Sequence, residues 1–193
     1  MDESATMAFR HRASSEDDDE SLVRAAQHDA AAFSEIYQRY HTRIYSYVRA
    51  RTSTDDSAID LAAQVFLQAL KALPKYRSRG TPFVAWLFRI ARSVVADAHR
   101  KARSAVPWEA VPESLHPVGE GDPAASFIQK ERDAEVRALV ANLPENKREI
   151  VLLRFSAGLT LREIAAIVGK RESTVHHHLR GALEIIKEHY RED

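Results

Sequence analysis

Two sets of side chains in this chain have types and spacings that could do chemistry. In both sets the chemistry is contact with phosphates and bases. Between Lys71 and Arg103 stand nine basic residues (Lys71, Lys75, Arg77, Arg79, Arg89, Arg92, Arg100, Lys101, Arg103) against one acid, Asp97. Phe83 and Trp86 lie among them. Cationic groups meet phosphates while bases stack on rings, so this mixture fits single-stranded nucleic acid. A core helix with a solvated back would carry both signs of charge. The second set follows Gly169: Lys170, Arg171, Ser173, His176, His177, His178 and Arg180. Short polar, imidazole and guanidinium groups on one turn and helix suit the edges and backbone of a duplex.

The second set is positioned by two short helices. Thr160 and Glu163 have the Thr-x-x-Glu spacing of a capping box, which predicts a helix starting at Leu161. Gly169 is placed to end it in a left-handed conformation, and a second helix is expected from about Ser173 to Tyr190. Leu161, Ile164, Ala165 and Val168 line one face of the first; Val175, Leu179, Ala182, Leu183 and Ile186 line one face of the second. A pair of this kind reads as a helix-turn-helix, whose second helix enters the major groove. An αα-hairpin that only packs is the alternative. With Val175, Leu179, Ala182 and Ile186 inward, a helical projection puts Ser173, His177, Arg180 and Glu184 furthest out, with His176 and His178 on the flanks. Ser173, His177 and Arg180 are therefore expected in the groove, with Lys170 and Arg171 on the preceding phosphates. The flanking histidines either replace basic phosphate contacts or only cover the helix sides. Successive helical residues point about 100° apart, so the three histidines cannot converge on one metal ion.

The first set is positioned by a loop and a long helix. Lys75-Tyr76-Arg77-Ser78-Arg79-Gly80 is a basic loop, and Thr81-Pro82 supplies an N-cap and an N1 proline. In the helix that follows, Phe83, Trp86, Leu87, Ile90, Ala91 and Val94 share a face, while Arg89 and Arg92 lie nearer the opposite one. Trp86 is either a core anchor or a stacking platform, and its place on the apolar stripe favours the core.

Upstream, residues 1–18 are polar, and Glu16 to Glu20 form an acidic block that reads as a disordered head running into a helix N-terminus. From Ser21 to Arg51 apolar residues recur at threes and fours, and Asp29 is expected to cap the second of two helices there. Thr52 to Asp56 reads as a polar turn. Ile59, Leu61, Ala62, Val65, Phe66, Ala69, Leu70 and Leu73 mark a third helix ended by Pro74. Ser104 to Gln129 has no Lys or Arg, carries Glu109, Glu113, Glu120 and Asp122, and is broken by Pro and Gly, as an extended acidic linker would be. Asp122-Pro123 opens a further helix through Phe127, Ile128, Val136, Leu139 and Val140. Pro144 starts another, with Ile150, Val151, Leu152 and Phe155 inward and Gly158 ending it. The expected architecture is all-α: an acidic head (1–18), a helical domain (19–103), an extended acidic linker (104–123), and a second small helical domain containing the helix-turn-helix (124–193).

Several function classes are set aside. The balance of 28 basic and 28 acidic residues is uninformative until resolved along the chain, and the absence of cysteine excludes disulfides and thiolate metal sites within it. There is no Gly-rich phosphate loop, no His-Glu-x-x-His and no Ser elbow, so neither an enzyme nor a cofactor is expected. No apolar run reaches membrane-spanning length or forms a secretory leader core, and a cytoplasmic protein is expected. A stand-alone regulator with the same helix-turn-helix would leave the basic aromatic helix and the linker unexplained. An α-helical adaptor would not need the one-sided charge of residues 71–103.

Taken together the chain resembles the extracytoplasmic-function (ECF) sigma factors, the small two-domain class of RNA polymerase initiation factor. The resemblance covers about residues 20–190. Leu22-Val23-Arg24-Ala25-Ala26, Asp29, Ala32-Phe33 and Ile36-Tyr37-Gln38-Arg39-Tyr40 are similar to the opening of that family's first domain. Ala58, Asp60-Leu61 and Val65-Phe66-Leu67 resemble its polymerase-contacting helix. Pro82-Phe83, Ala85-Trp86-Leu87, Arg89-Ile90-Ala91-Arg92, Asp97 and Arg100 resemble its promoter-melting segment. Leu143-Pro144, Arg148-Glu149, Leu153-Arg154-Phe155, Gly158-Leu159-Thr160, Glu163-Ile164-Ala165 and Ser173-Thr174-Val175 resemble its second domain. Each piece is weak alone; their order and spacing are specific.

The resemblance implies that the first domain docks on the β′ clamp helices of core RNA polymerase through Asp60, Leu61, Gln64 and Phe66. It implies that unpaired −10 bases are held by the loop carrying Lys75, Arg77 and Arg79 and the helix carrying Trp86, Arg89, Arg92, Ser93 and Arg100. The second domain would sit on the β flap and read the −35 element with Lys170, Arg171, Ser173, Thr174, His176, His177 and Arg180. The acidic linker would thread the polymerase cleft, and an anti-sigma factor would cover these surfaces. Two departures stand out. The family usually has an acid where Ile59 stands and Gln-Glu or Gln-Asp where Ala63-Gln64 stand, and it usually has basic residues at His176 and His178 with a small polar one at His177.

Overall fold

The computed structural model describes residues 19–78, 80–104 and 135–192, and among these the regular structure is entirely helical. Four helices form a first bundle: α1 (19–26), α2 (Phe33–Arg49), α3 (Asp55–Ala72) and α4 (Phe83–Ser104). Four more form a second: α5 (135–142), α6 (Glu145–Val151, running on through a π turn at Leu152–Ser156), α7 (Leu161–Val168) and α8 (Glu172–Glu192). The acidic head, the linker, Arg79 and the start of the helix expected at Asp122-Pro123 lie outside the described residues.

In the first bundle α2 buries Phe33, Ile36, Tyr40, Ile44, Tyr47 and Val48, the spacing of a single helical stripe. Asp29 does not cap it. Its Oδ1 accepts from the Ala31 N–H at 2.8 Å inside the turn, and α2 starts at Phe33 without a side-chain cap. Thr54 caps α3 by accepting from the Ser57 N–H, so that helix starts at Asp55, within the stretch read as a polar turn. Asp55 and Asp56 then suit the positive end of the helix dipole. Pro74 sits in a 3₁₀ turn, Leu73–Lys75, that finishes it. Helix α4 begins directly after Pro82 and is packed by both α2 and α3. With α7 of the second bundle as a third neighbour, α4 needs a wider buried face than one stripe, and Val84, Phe88 and Val95 are as buried as Leu87 and Ala91.

In the second bundle the capping box at Thr160 and Glu163 has both of its hydrogen bonds, and Gly169 ends α7 at φ 67°. Gly158 likewise stands at φ 65°, closing the π turn, where the Ala157 N–H reaches the Leu152 carbonyl and the Leu159 N–H the Leu153 carbonyl. The π turn corrects one expectation. Its extra residue rotates the chain, so Phe155 turns outward at 62% exposure and Leu153 takes the buried place. Val136 on α5 is 44% exposed.

The two bundles touch. Helix α4 packs on α7 and α2 on the π turn, and one continuous buried cluster runs from Leu22 to Val175.

Candidate nucleic-acid and polymerase interfaces

The loop between α3 and α4 is pinned from α1's side. The Gln27 amide donates to the Leu73 and Tyr76 carbonyls at 3.0 and 2.8 Å. This fixes Tyr76 in an aromatic cluster with Phe83 and Trp86, whose ring centroids lie 4.9–5.6 Å apart. Phe83 is buried and Trp86 only half-buried. Trp86 packs against the core from its margin, in contact with Tyr76 and Phe83, and stays half-buried. The cluster faces a cleft lined also by Asp19, Ser78, Thr81 and Arg162. Asp19, part of the acidic block, is buried: it accepts from Arg39 at 2.7 Å and from the Tyr40 hydroxyl. Burial, then the Asp19 charge, pushes the Tyr40 phenol far above its ordinary value, so it stays a donor. Nothing in the run of acids marks Asp19 as a core residue; the signal is Tyr40, a polar-tipped ring on a buried stripe that needs an acceptor. Lys75 and Arg77 are exposed on the loop, and Arg77 donates to the Tyr76 carbonyl at 2.8 Å. Ser93 and Arg100 are exposed along α4, with Arg100 paired to Asp97 one turn earlier.

Arg89 and Arg92 project from α4 onto the second bundle. Arg89 donates to the Ala166 carbonyl, and Arg92 to the Ile167 carbonyl at 3.2 Å. These carbonyls belong to the last turn of α7, where intrahelical partners run out and the dipole is negative. Arg92 also places Nε 2.8 Å from Glu149 Oε1. In this arrangement two of the guanidiniums expected on a nucleic-acid strand are held by the helix-turn-helix domain.

On α8 the projection holds. Val175 and Ala182 are buried, Leu179, Leu183 and Ile186 partly so, and Ser173, His176, His177 and Arg180 face outward. Thr174 is half-buried. Arg180 meets Glu184 at 3.0 Å, a surface pair that contributes little and yields readily to a phosphate. Arg171 is exposed beside the α8 N-terminus, while Lys170, also exposed, borders a cleft shared with Arg51, Arg92 and Glu149. His178 is half-buried, and its imidazole lies below the ordinary value because of desolvation, then Lys170, His177 and Lys147. A phosphate nearby raises that value again, so DNA binding takes up a proton as pH falls through the depressed range. Duplex affinity is therefore expected to rise as pH falls through and below the ordinary imidazole value of about 6.5. His178→Gln should flatten that rise in fluorescence anisotropy; an unchanged slope leaves His178 as helix covering.

The face of α3 needs correction. Phe66 is buried against Phe33, Tyr37 and His41, so it cannot touch a partner directly. Asp60 and Gln64 are exposed and Leu61 half-buried. Beside them Ile59, Leu67 and Leu70 stand 55%, 50% and 38% exposed. The sequence signal for this strip is Ile59, Ala63 and Leu67 at successive fours, off the core stripe of Ala58, Ala62, Val65 and Ala69. No helix among the described residues is long and apolar enough to cross a membrane.

Comparison with known proteins matches each bundle. Residues 36–105 match the family model Sigma-70 region 2, and residues 133–186 match Sigma-70, region 4. The ECF RNA polymerase sigma factor SigD of Mycobacterium tuberculosis is 35% identical over 176 residues, covering 88% of this chain and 82% of the relative. The ECF RNA polymerase sigma factor ShbA of Streptomyces griseus is 34% identical over 174 residues, covering 82% and 90%. Among solved structures, CnrH in complex with the cytosolic domain of CnrY shares the fold at a TM-score of 0.67 and 21% identity, covering 89% of this chain and 96% of that one. RpoE of Bartonella quintana, in complex with the anti-sigma factor NepR, does so at 0.59 and 21%, covering 83% and 98%. With a region 2 bundle, a region 4 helix-turn-helix and relatives matched along most of their length, the chain belongs to the extracytoplasmic-function family of RNA polymerase sigma factors.

Proposed function

We propose that residues 19–103 bind core RNA polymerase and the melted −10 element, that residues 124–193 read the −35 element, and that 104–123 link them through the polymerase cleft. The observation that carries this reading is the outward row of Ser173, His177 and Arg180 on a helix whose other face is fixed by Val175 and Ala182. The half-buried Trp86, packed on Tyr76 between the exposed Lys75 and Arg77 of the loop, supports the −10 assignment: rings and cations together suit unpaired bases and their phosphates. The apolar strip Ile59, Leu67 and Leu70 with Asp60 and Gln64 suits the β′ clamp helices, and exposed Phe155 and Val136 suit the β flap. The protein acts by positioning polymerase and not as a catalyst, needs no cofactor, and works in the cytoplasm with polymerase and promoter. An anti-sigma factor, such as the one bound to the Bartonella quintana protein, would hold it inactive by covering these surfaces.

The test is run-off transcription with core polymerase and a genomic promoter pool. Discrete transcripts that depend on the added protein are expected. Duplex binding with no transcript would instead describe a stand-alone regulator.

A further inference from the structure

Glu149 is the one acidic residue of the second bundle that is buried among the described residues, at 7% exposure, and its partners belong to the first bundle. Its Oε1 lies 2.8 Å from Arg92 Nε and accepts from the Tyr47 hydroxyl at 3.0 Å; its Oε2 accepts from Arg51. Two guanidiniums and a phenol thus surround one carboxylate. Burial, then the Glu149 charge, pushes the Tyr47 phenol above its ordinary value, which keeps it a donor. The surrounding cleft carries Arg51, Arg92 and Lys170 against Glu149 and Glu145, an excess of positive charge. The arrangement is not fully satisfied: Arg51 Nε is buried without a hydrogen-bond partner. Burying charges costs desolvation that their attraction only partly offsets, and an orphaned donor adds to that cost. The ionic part of the closed packing therefore contributes little net stability, as an exchangeable contact requires.

The chemistry of the exchange follows from what Arg89 and Arg92 hold. Their acceptors here are a carboxylate and two carbonyls at the negative end of α7. A phosphodiester offers the same guanidiniums charged oxygens in the same role. We propose that Glu149 and the end of α7 are an internal stand-in for nucleic-acid phosphate, so that a single strand entering along α4 displaces region 4 from region 2, and strand binding and domain separation are one coupled event. This rests on the reading of α4 as the −10 strand surface. By linkage, whatever separates the domains raises affinity for the strand, and the strand favours the separated form. The closed form taxes strand affinity by the fraction of molecules that are open.

The experiment uses the full chain. It has no cysteine, so Asp56→Cys and Glu188→Cys, both exposed and on opposite bundles, accept a donor and an acceptor dye. The probe is a fluorescent twelve-nucleotide thymidine strand, which reports phosphate contact without needing the promoter sequence. In the parent, adding the strand is expected to lower energy transfer between the dyes. Glu149→Gln is expected to lower transfer without the strand and to bind the strand at least about tenfold more tightly. Strand binding to the parent with unchanged transfer overturns the coupling and leaves the −10 reading standing. Opening by Glu149→Gln with unchanged strand affinity also overturns it. Failure of both proteins to bind the strand while Glu149→Gln still opens removes the −10 reading, and the competition with it. If Glu149→Gln does not fold, the strand-induced change in the parent decides alone.

Discussion

Phe66→Ala is expected to destabilise the region 2 bundle rather than remove a polymerase contact, and Leu67→Asp, one residue on, is expected to do the reverse. Phe66 is 4% exposed and meets Phe33 edge-on at 6.5 Å and Tyr37 at 4.7 Å. Removing a buried ring of this kind costs about 3–5 kcal/mol from lost transfer and the cavity left behind. For a bundle of this size that lowers the melting temperature by roughly 10 °C or more. Leu67 is half exposed and supports nothing in the core, so an aspartate there should leave the melting temperature within about 2 °C. It places an uncompensated charge in the middle of the apolar strip, between Ile59 and Leu70, and should weaken the complex with core polymerase at least about tenfold. Thermal melting and binding to core polymerase, measured on both variants, separate the two roles. A folded Phe66→Ala with weakened binding would return Phe66 to the contact face. Leu67→Asp binding as tightly as the parent would move the docking surface elsewhere on region 2.

The contrast between these neighbours shows what periodicity reveals and what it conceals. The helices, their order and the helix-turn-helix are legible because caps, glycines and apolar spacing act locally: Thr160, Glu163 and Gly169 each do in the structure what their types dictate. The orientation of a helix is less legible. A single stripe reads well on α8, which has one buried side, and poorly on α4, which packs against α2, α3 and α7 and buries Val84, Phe88 and Val95 as well. Phe155 is misplaced because a π turn is set by closure of the chain at Gly158 and leaves no compositional mark. The family resemblance names the polymerase helix but not its outward face: Phe66, expected at the contact, is buried, while the adjoining Ile59, Leu67 and Leu70 are exposed. Least legible is the packing of region 4 on region 2. Arg51, Arg92, Tyr47 and Glu149 are unremarkable one by one, and only the fold brings residues from distant parts of the chain, two of them about a hundred positions from Glu149, around one carboxylate.

Arg89→Ala combined with Arg92→Ala is expected to reduce open-complex formation by roughly a hundredfold or more, because on the proposed −10 reading each guanidinium would supply a charge-assisted contact of about 1.5–3 kcal/mol to a strand phosphate. Helix α4 itself should persist. Both side chains leave its buried face untouched, and that face is fixed by Leu87, Phe88, Ala91, Val94 and Val95. The same substitution removes the bonds to the Ala166 and Ile167 carbonyls, so the two bundles should also separate more readily. Those two consequences push strand binding in opposite directions, and salt resolves them. Losing two phosphate contacts to a single strand lowers the dependence of log affinity on log salt by about 1.4, whereas easier separation of the bundles raises affinity without lowering that slope. Arg89→Lys with Arg92→Lys keeps the charge and should keep most of the slope, while losing the forked geometry and part of the affinity. Permanganate reactivity of the −10 thymines, followed across a salt series, reads both quantities. Parent-like reactivity and slope in the double alanine variant would mean that these arginines hold region 4 alone, and that the strand runs instead along Lys75, Arg77 and Trp86.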